Sequence, residues 1–332
     1  MRMKASKPWF LILAVLFGAG SLWAADKPLG SWNDGQTRNA ILDFVAAVTR
    51  ENASTYVPAA ERIAVFDHDG TLWVEQPTYT QFVFGIDRAK AVGSQHPEWK
   101  GQQLFKSAMA GDLNGLAACG VKGLVELTAA PCAGLTTDEF DRTVADWLTT
   151  ARHPRFHRPY TDCVYQPMVE LLQYLRTNGF KTYIVSGGSL ELMRPWTERV
   201  YGVPPEQLIG TTVRTKWEMR DGQPAIVRLP EIECLNDREN KALSIQKVIG
   251  RRPIAAFGNS DGDLPMLQWT AAGSGRRFCL YVHHTDADRE YAYDRNAATG
   301  KLDKGLDVAL TRGWTVVDMR KDWKQVFSWD PK

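Results

Sequence analysis

The stretch Ile63-Ala64-Val65-Phe66-Asp67-His68-Asp69-Gly70-Thr71 is an apolar run that ends by delivering two carboxylates into one turn. Four apolar residues closed by Asp-x-Asp-Gly read as a buried strand and its exit. A carboxylate presented where a strand stops can act as a nucleophile or hold a metal. The two roles belong together, because a phosphoryl group attacked by an anion needs a cation beside it. Alone, the pattern is shared with calcium loops and ordinary turns, so its weight depends on its surroundings.

Toward the N-terminus, Ile41, Phe44, Val45 and Val48 recur at helical spacing and predict an amphipathic helix over about residues 37–51, packed on the sheet that holds the Asp67 strand. Toward the C-terminus, Pro167 opens a helix with Met168, Leu171, Leu172 and Leu175 as its buried stripe. Gly179 closes it, and Lys181 to Val185 is the next strand. That strand ends in Ser186-Gly187-Gly188 before a helix over 190–200, an arrangement that leaves backbone N–H groups for an anion. Residues 208–229, folded about Asp221-Gly222, read as a β-hairpin decorating the core. A helix over about 238–249 leads to the strand 254–257, which runs into Gly258-Asn259-Ser260-Asp261-Gly262-Asp263. Strands over 278–283 and 314–318 follow.

Strands alternating with helices predict an α/β fold: a Rossmann-like parallel sheet covered on both faces, with ligands beyond the carboxyl ends of its strands. All three polar turns fall at such ends. Between Tyr79 and Tyr160 the pattern is helical, with Thr136-x-x-Glu139 as a capping box ahead of Phe140, Val144, Trp147 and Leu148. We therefore expect a core formed by residues 26–78 and 161–332 and an inserted α-helical cap at 79–160. The cap returns through the hinge His153-Pro154-Arg155-Phe156-His157-Arg158-Pro159. Pro154 opposes a helical metal pair by His153 and His157; Arg155 and Arg158 are candidates to reach an anionic substrate across the cap cleft.

The order of these motifs resembles the haloacid dehalogenase superfamily, in particular its phosphatases with a cap inserted after the first motif, such as phosphoserine phosphatase. The resemblance spans about residues 63–269 and four motifs. It implies that Asp67 is the nucleophile and Asp69 the general acid and base. Mg²⁺ would be held by the Asp67 carboxylate and the Asp69 backbone carbonyl. Ser186 and the Gly187 N–H would hold phosphoryl oxygens, and Lys241 would neutralise charge shared by the phosphoryl group and Asp67. The fourth motif departs from the family: Asn259 stands where many relatives place an acid, Asp263 meets the second acid, and an extra Asp261 lies between. An amide oxygen suits Mg²⁺ but brings no charge, so any of Asn259, Asp261 and Asp263 can complete the metal shell. Glu75 lies near the place where phosphoserine phosphatases put a glutamate to meet the substrate's ammonium, though at another offset; a solvated residue at the cap entrance is the competing reading.

The chain has 332 residues, 44% of them hydrophobic, enough for a sizeable core. Arg2, Lys4 and Lys7, an apolar run from Trp9 to Phe17 and small residues through Ala25 read as a signal peptide over residues 1–25. The run falls short of the roughly 20 residues needed to span a bilayer, so we expect cleavage and no lasting membrane anchor. Its loss takes three positive charges from a formal net charge of +2, leaving −1. With the 12 Trp scattered from Trp9 to Trp329 and no basic block, nothing points to nucleic acid. Five cysteines in an oxidising compartment allow at most two disulfides, with Cys119 and Cys132 the expected pair. The expected protein is a secreted or periplasmic, Mg²⁺-dependent phosphomonoesterase acting on small phosphorylated metabolites. A silent relative that binds a phosphorylated ligand or a protein, and a phosphotransferase using the same aspartyl phosphate, remain open.

Overall fold

A computed structural model describes residues 28–331, apart from the side chains of several residues between 113 and 124. The expected signal peptide lies outside the described residues. Eight strands form one sheet: β1 (Ile63–Phe66), β2 (Lys181–Ser189), β3 (Leu208–Arg220), β4 (Gln223–Cys234), β5 (Ala255–Gly258), β6 (Phe278–Thr285), β7 (Ala292–Tyr293) and β8 (Thr315–Asp318). Their order is β4-β3-β2-β1-β5-β6, with β8 parallel to β6 and β7 antiparallel to the end of β6. From β3 through to β8 the pairings are parallel, and only the edges β4 and β7 run the other way.

The first strand sits at the centre because it is apolar on both faces. Ala64 and Phe66 enter one core with the helices Gln36–Thr49 and Gln166–Thr177, whereas Ile63 and Val65 enter a second with Ile245, Met266 and Leu306. Successive side chains of a strand point to opposite faces, so four consecutive apolar residues serve two layers. Phe66 stacks on Phe257 of β5 with centroids 4.2 Å apart. The chain turns from β1 to β2 and β3 on one side and later to β5, β6 and β8 on the other. The resulting switch point lies beside β1, where open α/β sheets bind ligands.

Three expectations change. The segment 208–229 is no decoration: Leu208 and Ile209 pair in parallel with Ile184 and Val185, and the hairpin continues to Cys234. Its return strand joins the inserted helices through Gly134 N to Arg228 O and Arg228 N to Leu135 O, both 2.9 Å. The helix expected over 190–200 is two pieces, Leu190–Met193 and Thr197–Tyr201. Pro195 between them lacks the N–H a continuous helix needs. Cys119 and Cys132 are not bonded, and all five cysteines are free thiols. Cys119 packs against the small core of the inserted helices, while Cys132 lies in the main core.

The inserted segment holds the helices Thr80–Val92, Gln103–Ala110, Leu113–Ala118, Gly120–Ala129 and Thr137–Thr150. Ile86, Val92, Trp99, Phe105 and Leu127 form a core of their own. The last helix begins with the capping box, Glu139 N to Thr136 Oγ1 at 3.1 Å and Thr136 N to Glu139 Oε2 at 2.7 Å. Its Phe140, Val144 and Leu148 join the main core rather than that of the cap, which seats the insertion firmly on the sheet.

Candidate active site

Because β2, β1 and β5 are neighbours, the turns that follow them stand side by side. The Asp67 N–H still donates to Phe257 O at 2.9 Å, so the nucleophile candidate occupies the last sheet position of its strand. Lys241 rises from the helix Glu239–Ile249 and lies between two acids, with Nζ 2.5 Å from Asp67 Oδ1 and 2.6 Å from Asp263 Oδ1. All three side chains are buried. Burial works against the Lys241 charge, but Asp263 and Asp67 more than offset it and hold the ammonium above the usual lysine range.

Burial, with Asp263 beside it, pushes the Asp67 carboxyl well above the ordinary carboxylate range, against the pull of Lys241. Asp69 is raised too, chiefly by burial, although the Trp73 indole donates to its Oδ1 at 3.0 Å. The Ser186 hydroxyl lies 3.4 Å from Asp69 Oδ2 and accepts the Gly188 N–H at 2.8 Å. Ser186 is thus fully buried behind the cavity, and Gly187 and Gly188 line the wall. The cavity, about 330 Å³, is bounded by Asp67, Asp69, Lys241 and Ser260 below and by Tyr79, Phe82 and Val125 of the insertion above.

The residues named for a cation divide. Asp263 Oδ2 accepts from Asn259 N, Ser260 N and Ser260 Oγ at 3.0, 3.0 and 3.2 Å, and its other oxygen faces Lys241, so Asp263 organises the turn. Asp261 Oδ1 accepts the N–H groups of Asp303 and Gly305 at 3.0 and 2.8 Å, which ties it to the start of the helix Lys304–Arg312. Among the described residues no three His, Cys, Asp or Glu side chains gather to hold a metal. What converges is Asp67 Oδ2 and Asn259 Oδ1, which lie 3.2 and 3.1 Å from Thr71 Oγ1. One hydroxyl has one proton, so one of these oxygens is left without a donor. Two buried acids, Asp67 and Asp263, share the ammonium of Lys241, and the Asp67 carboxyl is raised in spite of it, so positive charge is wanting beside Asp67. Both observations fit a hard cation such as Mg²⁺, which takes carboxylate, carbonyl and amide oxygens.

Glu75 is not a solvated residue at the cap entrance: it is 2% exposed and lines the cavity. Its Oε1 accepts from Asn259 Nδ2 at 2.6 Å and from the Tyr293 hydroxyl at 2.8 Å. The hinge arginines face away from the site, with Arg155 over the Tyr291 ring and Arg158 over Trp329. His153 Nε2 donates to Gln76 O at 2.8 Å, fastening the hinge to the first-motif loop. His68, the middle residue of Asp-x-Asp, stacks on Trp73 at 4.6 Å, and burial and Lys241 lower it to about 3, so it stays neutral.

Sequence reasoning missed two supports. His284 Nε2 donates to Gly70 O at 2.8 Å while its Nδ1 stands 3.1 Å from Oε2 of buried Glu290, pinning the first-motif turn. Gln81, on the first inserted helix, accepts the Ser189 N–H at 3.0 Å. A histidine at the carboxyl end of a core strand was the available signal for the first; nothing local marks the second.

Residues 64–268, more than half of the chain, match the sequence model of haloacid dehalogenase-like hydrolases. The chain belongs to this family. The chain is similar in fold to a conserved functionally unknown protein from Anaerococcus prevotii DSM 20548, 16% identical, with a TM-score of 0.52 over 75% of this chain and 85% of that one. A protein of unknown function from Bordetella pertussis Tohama I is 18% identical over 78% of this chain and 99% of its own, with a TM-score of 0.49. A phosphoserine phosphohydrolase-like protein from Francisella tularensis subsp. tularensis SCHU S4 is 16% identical over 67% and 87%, with a TM-score of 0.37. No curated protein matches the chain.

Proposed function

We propose that this hydrolase is an exported, Mg²⁺-dependent phosphomonoesterase that cleaves small phosphate monoesters through an aspartyl phosphate on Asp67. The observation that carries the reading is a pair of acids on one turn, Asp67 against Lys241 and Asp69 raised by burial, both lining one cavity.

Asp67 attacks phosphorus as the ester P–O bond breaks, and Asp69 gives its proton to the departing oxygen. A water then attacks the phosphorus of the aspartyl phosphate and loses a proton to Asp69. The P–O bond to Asp67 breaks, and inorganic phosphate leaves. Lys241 and the backbone N–H of Gly187 offset the phosphoryl charge during both transfers. Asp67, the Asp69 carbonyl and Asn259 would hold Mg²⁺, which supplies positive charge to the phosphoryl oxygens. Tyr79, Phe82 and Val125 exclude water from above, which strengthens each of these contacts.

Export rests on the sequence of residues 1–25. The test is phosphate release by the mature chain from a panel of monoesters, with and without Mg²⁺. We expect Mg²⁺-dependent release that Asp67→Asn abolishes; unchanged release by Asp67→Asn would reject the mechanism. Binding without release would favour a silent binder, and transfer to an added alcohol a phosphotransferase.

A further inference from the structure

The replacement of an acid by Asn259 raises a geometric problem that Glu75 answers. A carboxylate presents oxygen whichever way it turns, whereas an amide turned over presents an N–H₂ that repels a cation and donates to Asp67. The orientation of Asn259 is set chemically. Its Nδ2 stands 2.6 Å from Glu75 Oε1, and that atom also takes the Tyr293 hydroxyl at 2.8 Å, so it acts as an acceptor toward both, whether or not the other Glu75 oxygen carries a proton. With the nitrogen committed there, Oδ1 faces Thr71 and the nucleophile's Oδ2.

The surroundings leave Glu75 and the amide no other place. Gly70 and Gly300 both have positive φ, +79° and +68°. A Cβ on either would collide with Glu75 Oε1, and one on Gly70 with the Asn259 amide as well. Glycine at these two points allows the backbone to close on the pair. Glu75, Asn259 and the segment carrying Tyr293 and Gly300 come from three distant parts of the chain and meet behind the nucleophile.

We propose that Glu75 is a positioning residue: it holds the Asn259 amide so that the carbonyl oxygen faces Asp67 and the cation. This rests on the metal-dependent reading above but goes beyond it, since it assigns Glu75 to the metal shell rather than to substrate. Outer-shell partners of this kind are worth 10–100-fold in metal affinity.

The test is calorimetric Mg²⁺ binding to the mature protein, with Asn259→Asp as the second arm. We expect Glu75→Leu to weaken binding about 10- to 100-fold. Glu75→Gln, which keeps an acceptor oxygen, should bind within about threefold of the native protein. In the Asn259→Asp background, where both ends of residue 259 are oxygen, Glu75→Leu should cost nothing. Equal losses in the two backgrounds, or native affinity in Glu75→Leu, overturn the proposal and leave the phosphatase reading intact. No Mg²⁺ binding by the native protein overturns both. Should Glu75→Leu not fold, the side-chain amide of Asn259 in the native protein decides. Its NMR signal pair, identified by its absence in Asn259→Asp, should be protected from solvent exchange; rapid exchange overturns the assignment.

Discussion

Replacing Lys241 by Met tests whether its ammonium holds the site together. The side chain has suitable length, and the substitution removes only the charge that stands 2.5 Å from Asp67 and 2.6 Å from Asp263. All three groups are buried, so water cannot substitute for the lost partner. Removing one member of a buried pair costs about 3–5 kcal/mol, and here two acids lose it together. With a urea dependence of about 2–3 kcal/mol per molar, the unfolding midpoint should fall by about 1–2 M at pH 7. The sign with pH follows from proton counting. In the folded variant the acids keep protons that the unfolded chain, with carboxyls near the ordinary 3.8, releases. The folded state then binds more protons, and its stability falls as pH rises. Asp67 is pushed up to about 8 in the native protein as well, so the deficit should stay level up to about pH 7 and widen above pH 8, where only the native protein ionises this acid. Adding Asp263→Asn should recover part of it, because one acid fewer needs a proton. A loss under about 1 kcal/mol at pH 7 would refute the reasoning.

Asp69→Asn should lower turnover by about 10²–10⁴, with alkyl phosphates hit harder than aryl phosphates because a poor leaving group needs the proton more; equal losses across leaving groups would remove Asp69 as the acid. His68 should cost stability as pH falls from 6.5 toward its folded value of about 3, since only the unfolded chain takes up the proton in that window. His68→Asn should therefore flatten the stability profile between pH 4 and 6 by about 1.4 kcal/mol per pH unit relative to the native protein, measured by urea unfolding. Thr136→Ala breaks the capping box that starts the helix Thr137–Thr150 and should cost about 1 kcal/mol, read as a lower thermal midpoint with activity intact.

Three of the four motifs were legible because each is local, an apolar run and then polar residues, and the third, Lys241 on the helix Glu239–Ile249, was read from its place between the second and the fourth. The unbroken apolar run Ile63–Phe66 already says that the strand is covered on both faces, and Gly179 and Pro167 mark a helix on their own. The hairpin was misread because pairing of Leu208 with Ile184 joins separate segments, and no pattern inside 208–229 records it. The break at Pro195 was readable from the residue itself and was overlooked.

By itself, the sequence determined the order of strands and helices, the strand ends that carry Asp67 and Asn259, and the types of chemical group placed there. Backbone sterics and side-chain period act over a few residues, and those are written in the chain. Only the tertiary structure decided which groups touch: Lys241 between Asp67 and Asp263, Asp261 turned to a helix start, Glu75 against Asn259. These contacts link segments far apart along the polypeptide. Their geometry comes from how two cores pack about one sheet, which no local preference encodes.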